Sequence, residues 1–122
     1  MPDFSVVLEQ THPVVVVAAS GEVDAATVAE LDAVFNTAVT DHDTHVVVDA
    51  RGITFIDSTG ISALVAGMRR LNRSRRRMAV ACETSGPVGR ALEVTGLDHT
   101  FECHTTTDAA VAALAGAPLI GR

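Results

Sequence analysis

The segment Asp57-Ser58-Thr59-Gly60 places a carboxylate and two hydroxyls side by side, ahead of a glycine. It follows the apolar run Val46-Val47-Val48 and leads into a helical pattern that begins near Ile61. A helix N-terminus carries unpaired backbone N–H groups and a partial positive charge, so such a turn suits an anion. Four roles are open to Ser58 there: nucleophile, phosphate ligand, phosphorylation target or plain helix cap. Asp24 and Asp49 are the other acidic candidates. Together with Asp57 and Ser58 they are expected in the loops after the second and third strands, and in α/β sheets sites gather beyond the carboxyl ends of the strands.

The catalytic readings lack partners. A serine-hydrolase elbow needs G-x-S-x-G, and Ile56 stands where the first glycine belongs. A phosphate-binding P-loop needs a lysine, and the chain has none. His12, His42, His45, His99 and His104 are scattered, so surface loops rather than a metal centre are expected for most of them. Asp49, at the end of a valine run, resembles the phosphoacceptor of a response-regulator receiver. Receivers also carry an acidic pair after the first strand, where this chain has Gln10-Thr11-His12, and a lysine after the fifth. No catalytic activity, cofactor or metal is therefore expected on this chain. Phosphoryl acceptance by Ser58 remains, and would add roughly −1.5 to −2 charges to the start of a helix.

The elements that must hold these residues alternate in period. Phe4 to Glu9 and Val14 to Ala19 read as strands joined by a Gln10-Thr11-His12-Pro13 turn, and Gly21 ends the second. Asp24 is expected to cap a helix whose apolar face is Val28, Leu31, Phe35 and Ala38. His45 to Ala50 is a third strand, and Ile61, Leu64, Val65, Met68 and Leu71 line a second helix. Met78 to Cys82 is a fourth strand. A third helix runs from Ser85-Gly86-Pro87 to a Gly96 stop, Phe101 to Cys103 is a short fifth strand, and Thr107-Asp108 caps a last helix ending near Leu114. The expected fold is one α/β domain over residues 1–114, with a mixed, mostly parallel sheet of four to five strands, an N-terminal antiparallel hairpin and about four helices. Residues 115–122, with Gly116, Pro118 and Gly121, read as a loose tail.

Composition narrows the partners. A chain of 122 residues with 48% apolar content can bury one core. Only 3% of residues are aromatic, with neither Trp nor Tyr, which argues against base-stacking platforms. All nine basic residues are arginines, and six of them lie between Arg69 and Arg77. The remaining three face fifteen acids, so a solvated helix end or a contact with an acidic protein suits the cluster better than nucleic acid. No apolar run is long enough for a membrane span and the N-terminus has no secretory pattern, so a cytoplasmic protein is expected. Cys82 and Cys103 show no zinc spacing and are expected as reduced core thiols, or as a redox pair should both end neighbouring strands.

The stretch from Val46 to Gly60, with Asp49-Ala50-Arg51-Gly52 and Asp57-Ser58-Thr59-Gly60 inside it, resembles the signature of anti-sigma factor antagonists, the bacterial members of the STAS domain family. Gly21-Glu22-Val23-Asp24 matches the family's turn before its first helix, and the order of elements agrees over nearly the whole chain. Two features depart from the pattern: Ala50-Arg51 stands where Leu-Ser is frequent, and the arginine run is unusually dense. The resemblance implies a partner-switching module. Its unphosphorylated form would bind an anti-sigma factor that is also a serine kinase, phosphorylation of Ser58 would end the complex, and a serine phosphatase would reset it. ATP and magnesium are then expected on the kinase. Asp24 and Asp57 map to the family's acidic residues on the docking surface around the phosphoacceptor, and the small residues Thr59, Gly60 and Ser62 on the helix face are expected to let a partner's backbone approach closely. The alternative is a non-switching STAS scaffold. The oligomeric state, monomer or weak dimer, stays open.

Overall fold

The two valine runs lie side by side at the centre of the sheet, and their burial dictates the layers above and below. A computed structural model describes residues 4–117. The elements are β1 (Ser5–Thr11), β2 (Val14–Val23), α1 (Val28–Asp41), β3 (Val46–Ile56), α2 (Ser58–Arg73), β4 (Met78–Ala81), α3 (Pro87–Thr95), a 3-10 turn (Leu97–His99), β5 (Glu102–His104) and α4 (Thr107–Leu114). The strands lie in chain order, β1-β2-β3-β4-β5. β1 and β2 are antiparallel, and the other pairs are parallel. Among the described residues no helix is long and apolar enough to cross a membrane.

Alternate residues of each strand face opposite layers. Val15, Val17, Val46, Val48 and Val80 point into the larger core, with Leu31 and Phe35 of α1, Leu64 and Leu71 of α2 and Leu92 of α3. Val14, Val16, Val47, Ala79 and Ala81 point the other way, onto Ala110 and Leu114 of α4. Runs that are apolar on both faces are what a sheet covered on both sides requires.

Several boundaries differ from the sequence reading: β1 pairs on through Gln10 and Thr11, which leaves only His12-Pro13 in the turn, β5 is Glu102–His104, and three further differences have a clear physical reason. Gly21 does not end β2. It sits at φ 94 within the strand, where the register against β3 shifts between Gly21 and Glu22, and pairing continues to Val23 opposite Ile56. Positive φ is open to glycine without a Cβ clash. β3 likewise runs past Ala50 to Ile56, because Arg51, Thr54 and Phe55 are solvent-facing strand positions rather than a loop. The last helix is capped by Thr106, whose hydroxyl accepts from the Ala109 N–H at 3.0 Å, not by Thr107-Asp108. Of the expected tail, residues 118–122 lie outside the described residues. Its start is tied down, with Ala115 N donating to Val111 O and the Ala117 carbonyl meeting His45 Nε2 at 3.1 Å.

The end of α2 carries much of the arginine cluster. Arg75 adopts φ 65, its N–H bonding Asn72 O, while the Arg76 N–H reaches back to Leu71 O. That is a Schellman closure, with an arginine at the left-handed position where glycine is usual. The reversal turns Arg76 inward until only 3% of it is exposed. Its guanidinium donates to the carbonyls of Val39 (2.8 Å), Ala38 (3.4 Å) and His42. These belong to the C-terminal end of α1, which has no basic residue of its own in its last turn. An arginine following one helix thus completes the terminus of another, where free carbonyls and the dipole favour a cation.

Candidate functional site

Val23 and Ile56 are partners at the ends of β2 and β3, so the residues that follow them, Asp24 and Asp57, leave the sheet from adjacent positions. The Asp57 N–H donates to Val23 O at 3.2 Å and ties the two turns together. Each aspartate then closes its own turn. Asp57 is the N-cap of α2: its Oδ1 accepts from the N–H groups of Thr59 (2.9 Å) and Gly60 (3.1 Å). Asp24 Oδ1 accepts from Ala26 N (2.9 Å) and Thr27 N (3.2 Å), while Thr27 Oγ1 donates to Glu22 O at 2.7 Å. Asp24 therefore shapes the turn before α1 instead of capping it directly. The N-cap residue of α1 is Thr27, without a side-chain bond of its own to the helix.

Ser58 is the first residue of α2 and is exposed. The side-chain capping bonds belong to Asp57, and Ser58 itself is an exposed residue that takes no part in them. The anion-friendly character of this helix start is largely used up internally, because a carboxylate already holds two of the N–H groups. Thr59 is half-buried and Ser62 exposed, one turn further along the helix. Gly60 is buried. A Cβ there would stand 2.6 Å from Ile56 Cγ1 and 2.7 Å from Val23 Cγ1, so the close approach it permits is that of α2 to the strand ends.

A shallow groove runs from Asp57, Ser58, Ile61 and Ser62 across to Ala91, Val94 and Thr95 of α3. Val94 is 85% exposed, and Phe55 beside the strand end is also well exposed. Val94 is a groove residue that the sequence reading did not single out. The signal was an apolar side chain lying off the Val88, Leu92 stripe of its own helix.

The other candidates separate from this region. Asp49 is not in a loop at a strand end. It sits within β3, paired with Ala18 and Ala81, on the face that α4 covers. Burial pushes its carboxyl up, but hydrogen bonds from Arg51, at 2.9 and 3.1 Å, outweigh this and hold it below the ordinary value. His45 is buried, not in a surface loop, its Nδ1 accepting from the Arg77 N–H at 2.9 Å. Of the arginine cluster, Arg76 is buried, Arg77 makes a two-pronged pair with Glu102 (2.7 and 2.8 Å) and Arg70 bonds Asn36. Cys82 is buried as expected, but Cys103 is exposed rather than in the core. Among the described residues no three His, Cys, Asp or Glu side chains converge to hold a metal.

Comparison with known proteins identifies the family of the chain. The "Anti-sigma-F factor antagonist RsfB" of Mycobacterium tuberculosis is 28% identical over 116 residues, covering 94% of this chain and 93% of that protein. The crystal structure of an anti-sigma factor antagonist from Mycobacterium paratuberculosis superposes with a TM-score of 0.82 at 28% identity, covering 92% of this chain and 94% of the other. The Bacillus cell fate determinant SpoIIAA, solved in its phosphorylated form, shares the fold with a TM-score of 0.67 at 24% identity, over 89% of this chain and 98% of that one. The STAS domain family model matches residues 5–110, from β1 into α4, and the chain belongs to the STAS domain family.

Proposed function

We propose that this protein is an anti-sigma factor antagonist that acts by partner switching through Ser58. The observation that carries the proposal is an exposed serine at the first position of α2, with its hydroxyl outside the cap, beside an apolar groove. The names of the relatives support the partner class, and the solved phosphorylated relative supports the chemistry. In this reading an anti-sigma factor with serine kinase activity docks over Ser58, Thr59 and Ser62, with Asp24 and Asp57 shaping the two turns beneath it and Gly60 holding α2 against the strand ends. Val94 supplies an apolar contact from α3. Kinase and ATP belong to the partner, and a serine phosphatase restores the hydroxyl.

The switch is electrostatic. A phosphoserine carries roughly −1.5 to −2 charges, and an unpaired charge in a closed interface costs several kcal/mol. That corresponds to on the order of a thousandfold in affinity. Incubation with ATP and the cognate kinase is expected to add one phosphate to wild type and none to Ser58→Ala. By titration calorimetry Ser58→Ala should bind the anti-sigma factor as wild type does, and Ser58→Asp far more weakly. Equal phosphate on the alanine variant rejects Ser58 as the acceptor. Equal binding by all three proteins rejects the switch in favour of a non-switching scaffold.

A further inference from the structure

Cys82 and Cys103 take no part in the turns or the groove described above. The parallel register pairs Val80 with Cys103, so Cys82, two residues beyond Val80, returns to the same face of the sheet. The backbone locks this placement, with Cys82 N donating to His104 O at 2.9 Å. Both thiols consequently line one open pocket, together with Gly89 and Leu92 of α3 and Asp98 of the 3-10 turn. Cys103 is exposed, whereas Cys82 is 6% exposed. The neighbouring Cys103, with burial added, pushes the Cys82 thiol up, and Cys82 in turn holds Cys103 down at about 7. An accessible thiolate beside a buried, protonated thiol is the division of labour that an attacking and a resolving cysteine need.

We propose that Cys103 and Cys82 form a hydroperoxide-reactive pair that closes to an intramolecular disulfide. The Cys103 thiolate attacks one oxygen of the hydroperoxide and the O–O bond breaks. The departing oxygen takes up a proton and leaves as water, or as an alcohol from an organic hydroperoxide, with Cys103 left as a sulfenic acid. The Cys82 sulfur then attacks the Cys103 sulfur and the S–O bond breaks. The hydroxyl leaves as a second water with the Cys82 proton. Two thiols are oxidised by two electrons and one peroxide is reduced. The product ties β5, an edge strand of three residues, to the end of β4.

The test uses the full, pre-reduced chain, hydrogen peroxide in small excess, and intact mass with non-reducing peptide mapping. Wild type is expected to lose two hydrogens as a monomer and to yield a Cys82–Cys103 linked peptide that dithiothreitol reverses. Cys82→Ser should stop at a sulfenic acid on Cys103, trapped by dimedone. Cys103→Ser should react at least about tenfold more slowly than wild type. The proposal is overturned if wild type keeps both thiols under conditions that consume free glutathione. It is also overturned if the only disulfide formed joins two chains, or if Cys103→Ser is oxidised at the wild-type rate.

Discussion

One carboxylate oxygen of Asp57 satisfies two N–H groups at the start of α2, and this turn is partly open to water. Removing the carboxylate should cost what a lost cap costs. Asp57→Ala is expected to lower the unfolding free energy by about 1 kcal/mol in urea titrations, with Asp57→Asn recovering most of it. Ser58 is different, because its hydroxyl bears no part of the cap. Ser58→Ala and Ser58→Asp should each stay within about 0.5 kcal/mol of wild type in the same assay, so a binding defect in the aspartate variant cannot be assigned to unfolding. Both residues are legible in the sequence because strand, polar turn, glycine and helix follow one another within a few positions. His45 and Arg76 are not, since each is defined by distant partners: His45 by residues 32 and 72 positions away, Arg76 by a carbonyl 38 positions back.

At the scale of elements, the junction after α2 holds a conformational cost and a structural gain on neighbouring residues. Arg75 occupies a left-handed position that disfavours a side chain by roughly 1 kcal/mol. Arg75→Gly should relieve it and raise the thermal midpoint, partly offset by the greater freedom of glycine in the unfolded chain. Arg76→Ala should do the reverse, by on the order of 3 kcal/mol, because it strips a charged donor from buried carbonyls at the end of α1. Comparable losses for Arg75→Ala and Arg76→Ala would show that the helix-terminus contact contributes little. The arginine-rich composition here is legible as a helix end, but nothing local reveals that one member serves a different helix. β3 extends beyond its apolar run for a related reason. Arg51 and Gly52 interrupt the apolar run, yet the strand continues because it still has β2 to pair with.

Across the whole molecule the sheet divides two unequal cores, and the two valine runs announce that arrangement from the sequence alone. The alternation that sends Asp49 towards α4 follows only once the register is known. Its carboxyl is held below the ordinary value of 3.8 by Arg51. A lowered folded-state pKa contributes stability that is present above the unfolded value and is lost as pH falls through the folded one. Asp49→Asn should therefore be less stable than wild type at neutral pH, and the gap should narrow only below about pH 3.8 in acid titrations followed by circular dichroism. A gap that closes near neutrality would point to a different group. The capping of α2 by Asp57 has a consequence for time as well as for structure. With two of the helix-start amides already held by that carboxylate, a phosphate placed on Ser58 by the proposed kinase would have little internal harbour and would stay hydrated at the surface. Its lifetime would then be set by the enzyme that removes it, and the memory of the signal would be kept outside this chain.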